Sequence, residues 1–375
     1  MREAVPMSKA MYRTAVSDAD LPQTIELKFG EETITYHKPS WSMRYGTNPH
    51  QPAALYFPEG DVLWDMRILK SGKNGLSSTN VEDGYRALRV VGYFDEPAAA
   101  VMKHLNPSGV GIALDGQNIT DAFEKAWSGD PMSAFGGVIG TNRPVDEQLA
   151  RSIVDYDKNI PDNEKRFVEC LFAPSVTPEA LDVFEKSSRS KNMRVVEVPR
   201  AKEILDKGLQ YELRVIGDSI LLESRFYNKF RSLADLEKLV EESNGITGVV
   251  TDRYPTEQEL PDLRYAWCVC GEKRSNGVDL WKCDKTLGVG TGQQNRIDAI
   301  KMALDRAERF GHDTRGAVLA SDGFMLWDNV DPLIEAGVTA IIQPGGSDSD
   351  KMLKDKCNKA GISMVFTGER IFRHF

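Results

Sequence analysis

No apolar run in this 375-residue chain approaches the roughly 18 residues that a membrane-spanning helix needs. Positive charge is not in excess either. Lys and Arg total 47 against 56 Asp and Glu, a net charge of −9, which argues against nucleic acid or an anionic membrane as the main partner. Histidine is scarce, with five residues far apart in sequence. Neither HExxH nor HxE with PCxxC occurs, so no metal site is expected and none of the zinc-hydrolase or deaminase patterns applies. GxSxG, GK[ST] after a glycine-rich loop and GxGxxG are absent too. The five cysteines, Cys170, Cys268, Cys270, Cys283 and Cys357, are odd in number and scattered, which fits a reducing, cytoplasmic setting. The first 23 residues, "MREAVPMSKAMYRTAVSDADLPQ", carry mixed charges and no apolar core of a signal peptide, so 1–20 reads as a surface tail.

What is present is alternation. "TIELKFGEETITYH" reads as a hairpin and "VEDGYRALRVVGYF" as a helix with Ala87, Leu88, Val91 and Phe94 on one stripe. "AAAVMKH" and "GGVIGTN" read as buried strands around the helix "ITDAFEKAWSG". "EQLARSIVDYD", "RFVECLFAP", "PEALDVFEKSS" and "MRVVEV" continue as helix, strand, helix, strand. The stretch 201–262 is acidic and rich in helix formers, a linker with a helical insert. After it "AWCVCG" reads as a strand whose two cysteines share a buried face, and "GVDLWKCDKTLGVG" as a hairpin. "NRIDAIKMALDRAERFG" is an amphipathic helix, and strands and helices alternate to the end. The pattern predicts a layered α/β fold with one domain over 21–200 and a second over 263–375, and it suggests a duplication.

Several strand ends run into polar, turn-rich segments, the usual rim of a site in open α/β sheets. In "MKHLNPSGV", Lys103 brings a fixed positive charge and His104 an imidazole able to take or give a proton near neutral pH. Adjacent strand residues diverge, so both reach one ligand only where the strand breaks, and Asn106-Pro107 is the expected break. The same pair also fits a solvated strand end. "DPMSAFGGVIG" offers Ser133, Gly136 and Gly137 as backbone donors, and "GVGTGQQNR" a glycine-rich turn into the Arg296 helix. Ser347 and Asp348 in "IIQPGGSDSD" fit helix capping as well as ligand contact. Arg44 in "MRYGTNPHQPA" suits bidentate phosphate recognition, though a surface arginine fits equally.

In order along the chain, "MRYGTNPHQ", "LSSTNVEDGYRAL", "FDEPAAAVMKHLNPSG", "DPMSAFGGVI", "FVECLFAPSVTPEAL", "RSNGV", "GVGTGQQNRIDAI", "ASDGF", "DNVDPLIEAGVTAIIQPGGSDSD" and "FTGERIFRH" resemble the aminoimidazole carboxamide ribonucleotide (AICAR) transformylase family. The likeness runs from about residue 21 to the C-terminus. It resembles the formyltransferase part of the bifunctional purine-synthesis enzyme, standing alone without a cyclohydrolase domain. The resemblance implies duplicated cytidine-deaminase-like three-layer domains without zinc, and a homodimer with shared active sites. It implies transfer of a formyl group from 10-formyltetrahydrofolate to the 5-amino group of AICAR, with potassium as a structural ion.

By the same resemblance His104 is the proton acceptor, Lys103 stabilises the transition state, and Asn276 completes the catalytic set. Arg44, Tyr45, Gly136, Glu169, Arg296, Phe324 and Arg370 would hold the nucleotide. Ile297, Asp328, Ser347 and Asp348 would receive the folate. Two departures fall on the donor half. "SDGFMLWD" stands where the family often reads "SDAFFPFRD", so either Met325, Leu326 and Trp327 rebuild the apolar wall for a pterin or the donor site is altered. Gly271 stands where the family tends to have lysine. The alternatives are the same nucleotide acceptor with another formyl donor, or a catalytically silent nucleotide-binding relative.

Overall fold

The computed structural model describes residues 15–72, 74–154, 166–206 and 208–374. It is a mixed α/β structure whose chain divides into two compact units. The first comprises residues up to 92, with 102–105 and 134–208; the second comprises 93–101, 106–133 and the remainder from 209. No helix among the described residues is long and apolar enough to cross a membrane.

In the first unit the strands Gly137–Thr141, Val168–Ala173 and Arg194–Glu197 run parallel, and Arg67–Lys70 closes the edge antiparallel to Arg194–Glu197. The hairpin Thr24–Phe29/Glu32–His37 forms as expected and pairs with Phe57–Pro58. The helix Ser78–Gly92 lies on the parallel strands so closely that a Cβ on Gly84 would fall 2.3 Å from the Phe172 ring. Glycine is therefore required there in spite of its low helix propensity. The predicted helix from Glu147 is described only as far as Val154; the rest of "EQLARSIVDYD" lies outside the described residues.

In the second unit Val318–Ser321, Ala340–Gln343 and Ser363–Phe366 are parallel, with Gly248–Val249 on the outer edge. Val278–Lys282 joins Val318–Ser321 antiparallel and folds back as a hairpin with Lys285–Gly290, which meets Asn106–Ile112. Helices Ile119–Gly129 and Arg296–Arg309 each press on a Gly-Val-Gly strand. A Cβ on Gly111 would fall 2.4 Å from the Ala122 carbonyl, and one on Gly290 only 1.9 Å from that of Ala299. Behind them lies a core of Val278, Leu280, Ile300, Ala303, Leu319, Ile341 and Met364.

Two expectations are corrected. "AWCVCG" is the C-terminal part of a helix, Glu259–Cys270, not a strand. Every residue from Asp262 to Cys270 is buried, so the segment carries no amphipathic period, and a short apolar run reads alike as strand or buried helix. Cys268 and Cys270 do not share a face; both are buried free thiols, and burial pushes Cys268 up to about 12. Second, the stretch 201–262 is more than linker and helix. It holds the hairpin Tyr211–Ile216/Ser219–Ser224, the helix Leu233–Glu241 and the strand Gly248–Val249.

Candidate functional site

The strand Ala98–Lys103 ends at the lysine, and only His104 and Leu105 separate it from the strand Asn106–Ile112. Both sit at positive φ, +53° and +68°, the pair of left-handed residues that makes a tight reversal. The break therefore falls at His104–Leu105 and not at Asn106-Pro107, which opens the next strand. Asn106 instead accepts from Thr291 Oγ1 at 2.6 Å and Arg274 N at 2.9 Å within the second unit. A left-handed histidine and leucine are costly without support. Asp83 supplies it from the helix Ser78–Gly92. Its Oδ1 accepts the Leu105 N–H at 2.6 Å, and the carboxylate also receives the His104 N–H. Burial pushes the Asp83 carboxyl above its ordinary range; the Leu105 N–H and the charge and N–H of His104 oppose that.

Turned this way, Lys103 and His104 line one cavity of about 620 Å³ in the first unit. Arg44, Tyr45, Gly136 and Glu169 line it as well, so it gathers the six residues that the family likeness picked out in this unit, while Gly137, the other backbone donor offered there, is not among its lining residues. Arg44 is 3% exposed, not a surface arginine, because Arg44 N donates to Leu76 O at 2.7 Å and Tyr45 bridges to Ser77. Burial first, then the neighbouring Arg194, pulls the Arg44 guanidinium below its ordinary value, with Tyr45 and Glu169 opposing. Lys103 Nζ donates to Phe135 O at 2.6 Å, which leaves two of the three ammonium N–H donors for a ligand. Gly136, at φ +75°, spends its own N–H on Phe167 O at 2.6 Å, so it is wall and not the expected backbone donor. Ser133 is likewise tied to Asp130, through N at 2.9 Å and Oγ at 2.6 Å.

Among the cavity residues that escaped the sequence are Asn80, Asp83, Asn192 and Arg194. Arg194 matters most. It is 1% exposed, donates from Nε to Gly75 O at 2.9 Å, and pairs with Glu169 at 2.5 Å. Gly136, Glu169 and Arg194 stand at or beside the amino ends of three parallel strands, whereas the general rule places ligands at carboxyl ends. An arginine opening the apolar run "RVVE" was the available signal.

The remaining candidates belong to the second unit. Arg296 is buried, pairs with Asp322 and donates to Gly277 O at 2.9 Å. Phe372 lies beneath two guanidinium groups, 5.9 Å from Arg296 and 4.8 Å from Arg370. Gly323 explains one departure from the family pattern. A Cβ there would fall 2.4 Å from the Phe372 ring and 2.5 Å from Arg296 Nη2, so the alanine of "SDAFF" has no room. Asn276 follows a cis peptide from Ser275, and its Nδ2 donates to Gln293 O at 2.9 Å. Phe324 is exposed, as are Asp328 and Asp348, while Ile297 and Ser347 are half-buried. Met325 is buried in the core, so only Leu326 and Trp327 remain at the surface from the expected pterin wall. The turn before Arg296 closes on itself: Asn295 accepts from Asp298 N and donates to Asp298 Oδ2 at 2.6 Å. Among the described residues no three His, Cys, Asp or Glu side chains converge as a metal cage.

The fold and cavity together define an α/β protein whose first unit carries a basic pocket of nucleotide size, with a lysine and a histidine on one broken strand. Comparison with known proteins makes this specific. The model of the AICARFT/IMPCHase bienzyme family matches residues 3–306, and the chain belongs to that family. It is 39% identical over 379 residues to a bifunctional purine biosynthesis protein PurH of Anoxybacillus flavithermus, covering 98% of this chain and 66% of that protein. It is 38% identical to one of Acetivibrio thermocellus, over 96% of this chain and 63% of the other. A PurH of Acidithiobacillus ferrooxidans is 39% identical over 94% and 60%. The chain thus spans slightly less than two thirds of the length of these relatives. A Thermotoga maritima diaminohydroxyphosphoribosylaminopyrimidine deaminase/5-amino-6-(5-phosphoribosylamino)uracil reductase aligns with a TM-score of only 0.20, at 18% identity over 36% of this chain and 35% of that one.

Proposed function

We propose that this chain transfers a formyl group from 10-formyltetrahydrofolate to the 5-amino group of AICAR in purine biosynthesis. The observation that carries the proposal is the gathering of Arg44, Tyr45, Lys103, His104, Gly136 and Glu169, from four separate sequence segments, around one cavity. Arg44, Lys103 and Arg194 make it basic, which suits a nucleotide phosphate. Glu169, with one oxygen held by Arg194, is placed to accept from a ribose hydroxyl.

The amine of AICAR is conjugated with its ring and carboxamide and is a weak nucleophile. As its nitrogen attacks the formyl carbon, His104 takes the N–H proton, and the carbonyl oxygen becomes an oxyanion opposed by the Lys103 ammonium. The bond from that carbon to the folate nitrogen then breaks, and the proton held by His104 passes to the leaving nitrogen. The carried-over roles of Asn276, Arg296, Phe324 and Arg370 at the nucleotide, and of Ile297, Asp328, Ser347 and Asp348 at the donor, belong to the same proposal. So does the homodimer with shared sites.

The test is a spectrophotometric formyl-transfer assay on the purified chain, with AICAR and either 10-formyltetrahydrofolate or formate plus ATP, with and without potassium. Turnover with the folate supports the proposal. Turnover only with formate and ATP keeps the acceptor and replaces the donor. AICAR binding without turnover from either donor points to the silent relative.

A further inference from the structure

One spacing, 179 residues, relates Asp83 to Asp262, Ala87 to Ala266, Val90 to Val269, Gly92 to Gly271, Lys103 to Lys282, and Gly109-Val110-Gly111 to Gly288-Val289-Gly290. The structure gives this repeat a meaning in each unit separately. Each aspartate sits on a helix, Ser78–Gly92 or Glu259–Cys270, and each accepts a backbone N–H from a tight turn. Asp83 Oδ1 takes the N–H of Leu105 at 2.6 Å; Asp262 Oδ2 takes that of Cys283 at 2.8 Å. The residue at the repeat position of His104 is Cys283, and the two share a left-handed backbone, φ +53° and +58°. Both aspartates are buried and both turns join a strand ending in lysine to a Gly-Val-Gly strand.

The second copy serves as a natural control. Its turn holds Cys283 and no catalytic candidate, yet keeps the buried aspartate, so the carboxylate's shared task is to hold the turn. From this we infer that Asp83 is a positioning residue: it fixes the left-handed His104–Leu105 turn and thereby aims the His104 imidazole into the cavity. Left-handed histidine and leucine require an over-determining environment, and a carboxylate receiving two N–H groups supplies one. The inference rests on the proposed formyl transfer for its catalytic consequence, not for its geometry.

Two measurements therefore test it separately. Amide hydrogen exchange of the turn, residues 103–106, should quicken at least 10-fold in Asp83→Ala and stay near wild type in Asp83→Asn, whose side-chain oxygen still accepts. In the formyl-transfer assay Asp83→Ala should lose about 100-fold in kcat with KM for AICAR within about 3-fold, and Asp83→Asn should recover most of that loss. Asp262→Ala should leave kcat within about 3-fold. Unchanged exchange in Asp83→Ala overturns the inference whatever the activity. So does equal loss of kcat in the alanine and asparagine variants once thermal melting shows both folded. If the wild type transfers no formyl group, the function falls while the exchange result still decides the role of Asp83.

Discussion

The Arg194 guanidinium, almost wholly buried at the start of its strand, holds the Glu169 carboxylate on the neighbouring parallel strand at 2.5 Å. Glu169 is the partly exposed member, and its side chain lines the cavity. The pair thus joins a stability role on the inner side to the recognition role proposed for the outer side. Removing the acid strands a buried cation. Glu169→Gln should lower stability by about 1–3 kcal/mol and raise KM for the nucleotide about 10-fold, with kcat little changed. Urea unfolding and steady-state kinetics check both; an unaltered KM would take Glu169 out of nucleotide binding.

In the proposed reaction the broken strand at 103–104 carries the chemistry. His104→Ala should lower kcat about 10²- to 10⁴-fold, the usual worth of a placed general base, with smaller change in nucleotide affinity. Lys103→Met should also lower kcat, and since its ammonium anchors Phe135 O, it should loosen the loop before Gly137 as well. Single-turnover kinetics with equilibrium AICAR binding separates the two effects. Wild-type kcat in His104→Ala would remove the histidine from the mechanism.

Asp262 predicts a pH dependence of stability. Burial pushes its carboxyl up to about 6 from an ordinary 3.8, against the Cys283 N–H, with Asp284 and Glu259 adding to the rise. Between those values the folded state holds a proton that the unfolded state has released, so this group's contribution falls as pH rises from about 4 to about 6 and is flat above. Asp262→Asn keeps an acceptor for Cys283 N and removes the buried charge. It should raise stability at pH 7–8 by about 1–3 kcal/mol and flatten the pH 4–6 slope, as measured by urea unfolding across that range.

Gly84→Ala tests the packing of the first unit. Alanine favours a helix by about 1 kcal/mol over glycine, but here its methyl would meet the Phe172 ring at 2.3 Å. Overpacking of this kind costs about 1–3 kcal/mol, so a net loss of stability is expected. Thermal melting of Gly84→Ala alone and with Phe172→Leu checks it; partial recovery in the double variant identifies the ring as the obstacle.

Periodicity carried most of the element order because amphipathic stripes and Gly-rich turns are local. It failed at Glu259–Cys270, where burial on all sides erased the period, and it missed Tyr211–Ser224, a hairpin with exposed apolar side chains. The six first-unit candidates were readable as residue types with a family likeness. Asp83 was not, because a backbone acceptor has no signature apart from the groups it meets, and Arg194 left only the signal of an arginine opening an apolar run.

The residues alone settled the chemical repertoire: a lysine beside a histidine, an arginine in a rigid loop, and glycines wherever helix and strand must close up. They also carry the repeat spacing, since identities survive at positions where packing or a turn tolerates little else. Folding alone decided where the strand breaks, which carboxylate holds that break, and that the pocket draws on the amino ends of three parallel strands as well as the carboxyl end of Ala98–Lys103. Those outcomes depend on contacts between segments 22 to 119 residues apart, such as Asp83 with Leu105 and Arg194 with Gly75, whose energies exist only once the chain has brought them together.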